Sequence, residues 1–209
     1  MNTTDLALKH QPQSFSEILL PNDVRERLAE CFKEELPHPY MLVGPSGTGK
    51  TLTASNLRKD AYFLSCLKGC TDNELYLLER ACSAFTLDGL RRLVILDDVD
   101  HMLPKNQLHL IYILDNFRIN NDFILTAREP FRLKQALLSR VQIIDFGVSD
   151  SRMYRNQIVN LLIDIASKEG KGEVDLLEIK KIVRSAYPDI RKMLINLQPE
   201  LMRKETAHA

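Results

Sequence analysis

The stretch Tyr40-Met41-Leu42-Val43-Gly44-Pro45-Ser46-Gly47-Thr48-Gly49-Lys50-Thr51 decides the fold. Its last eight residues match G-x-x-x-x-G-K-[ST] in full. An apolar, strand-like run precedes them and a short helix-like stretch follows, which is the context this motif needs. The glycines let the backbone turn its N–H groups inward around phosphate oxygens. The N-terminus of the helix that follows adds a favourable dipole. All eight positions, Gly44, Pro45, Ser46, Gly47, Thr48, Gly49, Lys50 and Thr51, are therefore read as a phosphate-binding loop. Lys50 suits the β- and γ-phosphates of a nucleotide, and the Thr51 hydroxyl suits a Mg²⁺ ion.

A second motif lies further along, in Leu93-Val94-Ile95-Leu96-Asp97-Asp98. A carboxylate at the end of a buried strand is costly unless it serves a cation. Asp97 is read as part of the Mg²⁺ shell, through water. Asp98 stands where a carboxylate would orient an attacking water. Asp100 reads as part of a solvated acidic turn.

Working outward, short apolar runs alternate with helix-like segments, the pattern of a parallel sheet with crossover helices. The runs are 40–44, 61–66, 93–97, 123–126 and 141–146. Continuous apolar runs suit strands covered on both faces. Thr71-Asp72-Asn73-Glu74 reads as a capping box, followed by the stripe Leu78, Ala81, Cys82 and Phe85. Leu108, Ile111, Tyr112 and Phe117 form another stripe. Beyond Phe146 the strand pattern stops. Ser149 or Ser151 caps a helix that buries Tyr154, Ile158, Leu161, Leu162 and Ile165, and Gly170-Lys171-Gly172 breaks it. A second helix is expected from about Val174 to Tyr187, and a third from Pro188, placed in its first turn, toward Met202. The fold is thus α/β, a five-stranded parallel core over residues 1–147, followed by a small all-α lid domain over 148–209.

Composition agrees with this. The chain has 209 residues, 44% apolar and 27% charged, with 28 basic and 28 acidic side chains and no net charge. That content excludes disorder as the main state. No apolar run approaches the ~18 residues that span a bilayer. The beginning lacks the features of a secretion signal, so a cytoplasmic location is expected. Zero net charge gives no global pull toward nucleic acid, so such contacts need a local patch. Arg91, Arg92 and Lys105 are candidates for one, or form an ordinary solvated charged face. Cys31, Cys66, Cys70 and Cys82 read as buried free thiols.

The phosphate loop, Asp97-Asp98, Ser139-Arg140 and Pro188-Asp189-Ile190-Arg191-Lys192 occur in the order of the AAA+ ATPases, a branch of the P-loop NTPases. Within that class the chain resembles clamp-loader small subunits, in particular those of T4-like phages. Lys9–Pro21 is similar to the segment preceding the phosphate loop there. Leu138-Ser139-Arg140-Val141 is close to the family's Ser-Arg-Cys motif, and Pro188–Gln198 resembles its second sensor helix. The resemblance implies a MgATP site between adjacent subunits. Arg140 matches the arginine finger given to the neighbouring subunit; read alone it is a surface arginine at the start of a strand. Arg191 matches the second sensor, reaching the γ-phosphate of its own subunit, or is a solvated helix arginine. Ile18–Pro21 lines the adenine pocket or is ordinary core.

Two departures stand out. The first sensor is usually a polar residue, often Asn; here Arg128 takes that position and Thr126 lies two residues earlier. Arg128 is expected to meet the γ-phosphate or to pair with Glu129 or Asp98. With Asp98 in place of the usual Glu, the water-activating parts are altered while the phosphate-binding parts are intact. Family subunits also carry a C-terminal helical collar, to which this sequence does not extend. The resemblance implies ATP and Mg²⁺ as cofactors, and other AAA+ subunits, a sliding clamp and primer–template DNA as partners, with no membrane. ATP-driven clamp loading is the leading function. An initiator-like replication regulator or helicase loader, and a weakly hydrolysing ATP-binding scaffold subunit, are the alternatives.

Overall fold

The computed structural model describes residues 5–31, 35–58, 60–84, 90–147, 152–169 and 175–207, with the side chains of 30, 31 and 203–207 left out. Phe85, the caps at Ser149 or Ser151, the break at 170–172 and the Cys31 side chain lie outside the described residues. In chain order come α1 (Leu6–Lys9), α2 (Asn22–Cys31), β1 (Tyr40–Val43), α3 (Lys50–Ser55), β2 (Tyr62–Ser65) and α4 (Asp72–Ser83). They are followed by β3 (Arg92–Asp97), α5 (Pro104–Phe117), β4 (Asn121–Ala127), α6 (Gln135–Leu138) and β5 (Gln142–Asp145). The chain closes with α7 (Arg152–Lys168), α8 (Leu176–Ala186) and α9 (Ile190–Ala207).

Two compact units result. One comprises Asn22–Gly44 and Lys50–Phe146; the other comprises Met1–Pro21, Pro45–Gly49 and Gly147–Ala209. The first holds an all-parallel sheet in the order β2-β3-β4-β1-β5. Its central strands β1 and β4 are buried at every residue, whereas the edge strands β2 and β5 expose Phe63 and Ile143. The near-continuous apolar runs belong to strands covered on both faces. Met41, Val94, Leu96, Phe123 and Leu125 lie at the centre of this core, with Leu75, Leu78 and Leu110 packed over them.

Local chemistry sets the helix ends. Thr71 Oγ1 accepts the Glu74 N–H at 3.2 Å, and the Thr71 N–H donates to Glu74 Oε2 at 2.6 Å. This is the expected capping box of α4. The stripe expected on α5 needs correction. Ile111 is buried, but Leu108 and Tyr112 are exposed, and the inward face is Asn106, Gln107, Leu110, Ile111, Ile113 and Leu114. Two amides go inside because their hydrogen bonds are met there. Gln107 Nε2 donates to the Met102 carbonyl at 3.1 Å, and its Oε1 accepts the Lys134 N–H at 2.8 Å. Cys66, Cys70 and Cys82 are buried free thiols, and burial pushes Cys82 up to about 12.

Arg91 and Arg92 do not form a solvated face. Asp122 on β4 has a fully buried carboxylate, ion-paired to Arg58 and, at 3.1 Å, to Arg91 Nε. Its Oδ1 also accepts the Leu36 N–H at 3.1 Å. Arg92 donates to the Ala81 carbonyl, while Lys105 pairs with Asp72 at 2.9 Å on the surface. A buried charge survives only when paired and hydrogen-bonded.

In the second unit, α7, α8 and α9 enclose Ile158, Leu162, Ile165, Ile179, Val183, Met193 and Leu197. The expected α7 face is present, with Leu161 at its margin. The second helix runs Leu176–Ala186, capped by Asp175, whose Oδ1 accepts the Leu177 N–H at 2.9 Å. Pro188 lies ahead of α9 rather than in its first turn. Asp189 supplies the cap there, its Oδ1 accepting the Lys192 N–H at 2.8 Å. Glu169 joins α1 to the end of α7, accepting from Lys9 Nζ at 2.8 Å and His10 Nε2 at 2.6 Å. Those bonds hold its pKa below the usual glutamate value.

Two outcomes follow from these polar contacts. Asp122→Ala should cost about 3–5 kcal/mol in urea unfolding, because two guanidinium groups lose a buried partner. Glu169 has a depressed native pKa, so its contribution is present above the unfolded value and lost as pH falls through the native one. Glu169→Gln should therefore unfold at lower urea than wild type at neutral pH. The gap should close as pH falls below the usual glutamate pKa.

Candidate functional site

The loop joining β1 to α3 is where the chain turns from sheet to helix. Gly47 has φ 70° and Gly49 φ 90°, a region that side chains rarely enter. Space demands glycine at 47 as well, since a Cβ there would run into the Asp189 carboxylate. The Ile190 N–H donates to the Gly47 carbonyl at 3.2 Å, and Thr48 Oγ1 donates to the Pro45 carbonyl at 2.9 Å. Ile18 lies against Gly49, 3.6 Å from where its Cβ would be, and is itself buried, as is Leu20.

Lys50 opens α3 and is buried, its Nζ donating to the Gly44 carbonyl at 2.7 Å. Burial pushes its pKa down, opposed by the nearby carboxylates of Asp98, Asp97 and Asp100. Thr51 Oγ1 donates to Asp97 Oδ1 at 2.6 Å. Thr126 Oγ1 donates to the same oxygen at 2.6 Å and accepts the Asp98 N–H at 2.9 Å. Asp97 is 9% exposed and Thr126 fully buried. One carboxylate thus draws together the start of α3, the end of β3 and the end of β4.

Asp98 has φ 55° and pairs with Arg128 Nε at 3.4 Å. Arg128 Nη2 also donates to His101 Nε2 at 3.1 Å. Of the partners expected for Arg128, Asp98 is the one it meets. Asp100 is corrected from a solvated turn to a buried brace: its Oδ2 accepts the N–H groups of Arg128 and Glu129 at 3.2 and 3.0 Å. Arg140 lies before β5. Its Nε and Nη2 fork onto Asp115 at 2.7 and 2.8 Å, and its Nη1 donates to the Ala136 carbonyl at 2.6 Å. Arg191 is exposed in the first turn of α9, next to the residue bonded to Gly47.

Thr51, Asp97 and Thr126 are therefore brought together beside Lys50, and Asp98 pairs with Arg128. Arg140 makes its hydrogen bonds elsewhere, on α5 and α6. Sequence reasoning missed Asp189 and Asp115. An Asp just before a helical run is a capping signal and marks Asp189. Asp115 carries no comparable signal.

The donor set fits a nucleotide with a divalent cation. The loop bends its backbone at positive-φ glycines, and the helix after it opens on a buried ammonium group near a buried carboxylate met by two hydroxyls. Thr51 and Asp97 are the residues that would hold the cation.

Residues 40–147 match the family "ATPase family associated with various cellular activities (AAA)". The chain belongs to this family of nucleotide-binding proteins. It is 30% identical over 203 residues to the "Replication factor C large subunit" of Methanococcus aeolicus, covering 91% of this chain and 42% of that protein. It is 26% identical over 198 residues to the "Sliding-clamp-loader large subunit" of Enterobacteria phage T4, covering 90% and 62%. It is 31% identical over 202 residues to the "Replication factor C small subunit 1" of Pyrobaculum islandicum, covering 91% and 60%. The chain thus spans 42–62% of the length of these relatives. Replication factor C and phage sliding-clamp-loader sequences are thus both similar to it, with large and small subunits among them. The fold is that of a solved Thermotoga maritima RuvB variant, with a TM-score of 0.69 at 16% identity, covering 94% of this chain and 72% of that one.

Lys50→Ala should weaken nucleotide binding at least tenfold by calorimetry. The variant should stay folded in urea unfolding, so that the loss reports on binding. Unchanged affinity in the folded variant contradicts the assignment of the loop.

Proposed function

We propose that the chain is the ATPase part of a clamp-loader-like replication protein of the cytoplasm. It uses MgATP binding and hydrolysis at a subunit interface to load a sliding clamp on primed DNA. The Thr51–Asp97–Thr126 junction beside buried Lys50 carries the nucleotide side of this reading. Similarity to replication factor C and sliding-clamp-loader subunits supports the clamp side.

In this reading residues 44–51 wrap the phosphates with backbone N–H groups, and Lys50 leaves the Gly44 carbonyl for a phosphate oxygen. Thr51 and Asp97 hold Mg²⁺, which when bound neutralises phosphate charge. Thr126, through its hydroxyl, keeps Asp97 aimed. Asp98 orients the attacking water when Arg128 releases it. Arg191 reaches the γ-phosphate from the helical lid, residues 148–209. Arg140 serves the site of a neighbouring AAA+ subunit, where its guanidinium offsets charge building on the γ-phosphate.

One observation favours slow turnover by the isolated chain: the Asp98 carboxylate is already engaged by Arg128. That pair keeps the weakly hydrolysing scaffold reading in play. ATP turnover measured with and without a sliding clamp and primed DNA separates the readings. Clamp loading predicts stimulation by both together. An initiator-like regulator or helicase loader predicts stimulation by neither, and a scaffold predicts binding without turnover.

The role of Arg140 has its own test. Arg140→Ala should leave ATP binding by the lone subunit unchanged and cut hydrolysis in the assembly by ~10³ or more, the usual worth of such a finger. Mixing Arg140→Ala with Lys50→Ala subunits should restore the interfaces that pair an intact Lys50 with an intact Arg140. Full activity of Arg140→Ala in an assembled complex rules the role out.

A further inference from the structure

Arg140 is held more closely than a surface arginine needs. Asp115 takes both the Nε and Nη2 donors in a two-bond fork, at 2.7 and 2.8 Å. Nη1 is fixed by the Ala136 carbonyl one helical turn earlier, at 2.6 Å. A guanidinium has five N–H donors in a rigid plane. Three are used here, which leaves one N–H on each Nη while the plane is locked from two sides.

Stability does not account for this arrangement. The Arg140 and Asp115 side chains are 34% and 48% exposed, and exposed ion pairs contribute little. Asp115 also sits in the last turn of α5, where the helix dipole disfavours a carboxylate. An anion at the wrong end of a helix, offset by one bidentate partner, is an arrangement that orients. The bonds from Arg140 hold the Asp115 pKa below the usual aspartate value, so the fork persists through the neutral range.

Resting on the reading of Arg140 as a finger, we infer that Asp115 is its positioning residue. Its fork with Nε and Nη2 presents the remaining Nη donors of Arg140 toward the nucleotide of a neighbouring subunit. Asp115 touches no substrate itself. It converts a long, rotamer-rich side chain into a preset donor, so that ordering costs less when the interface forms.

The test uses the full chain in its assembly with clamp and primed DNA. Asp115→Asn keeps the volume but cannot accept both bonds as a carboxylate does. It should lower kcat on the order of 10- to 100-fold, the cost of a misplaced catalytic group, with KM for ATP unchanged. The melting temperature of the lone subunit should stay at the wild-type value. Asp115→Glu should recover part of kcat. Asp115→Ala combined with Arg140→Ala should be no slower than Arg140→Ala alone. A wild-type or raised kcat in Asp115→Asn, with Arg140→Ala inactive, overturns the inference and leaves the finger reading standing. A fully active Arg140→Ala overturns both. Equal loss of kcat and melting temperature, with no recovery in Asp115→Glu, marks Asp115 as merely structural and also overturns the inference.

Discussion

The site depends on a single carboxylate oxygen. Asp97 Oδ1 receives hydroxyls from Thr51 and Thr126, both at 2.6 Å, in surroundings that nearly exclude water. Hydrogen bonds to a charged acceptor are worth more than neutral ones, about 1.5–3 kcal/mol each. The Asp97 carbonyl also accepts the Cys66 N–H at 2.7 Å, so the backbone at this residue is fixed as firmly as its side chain. The ends of three strands and the beginning of α3 share one anchor.

The far end of the sheet has a second polar anchor of a different kind. Asp122 fixes the start of β4 to Arg58 and Arg91 and to the segment leading into β1. Asn121 beside it donates to the Cys82 and Phe117 carbonyls, both at 2.9 Å. Central strands in a parallel sheet have little tolerance for register error, because both faces are buried. Polar anchors at the two ends of β4, Asn121–Asp122 and Thr126, leave its apolar middle a single register. The register that β4 takes against β1 and β3 is the one that brings Thr126 to Asp97.

What the sequence disclosed divides along physical lines. The phosphate loop and Asp97 were legible because their chemistry is written in consecutive residues flanked by strand and helix patterns. The roles proposed for Arg140 and Arg191 come through family resemblance alone, since an arginine on a helix or turn has no local signature. The α5 face was misread because apolar periodicity cannot foresee two amides, Asn106 and Gln107, satisfied inside. Sequence alone leaves Arg91 and Arg92 as a basic patch or solvated charges and Asp100 as a solvated one, because their partners come from residues distant in sequence. Asp115 stayed invisible for the same reason: its meaning lies in a contact across 25 residues of chain.

The backbone bond from the Ile190 N–H to the Gly47 carbonyl makes the phosphate loop part of the cap of α9. A helix leaves its first N–H groups without internal partners, and here the Gly47 carbonyl supplies a partner for one of them. That amide is a built-in reporter. Its exchange with deuterated solvent follows the opening of the bond to Gly47, so any rearrangement of the loop is written into the protection of Ile190. The lone subunit's loop can thus be followed without label, ligand analogue or turnover.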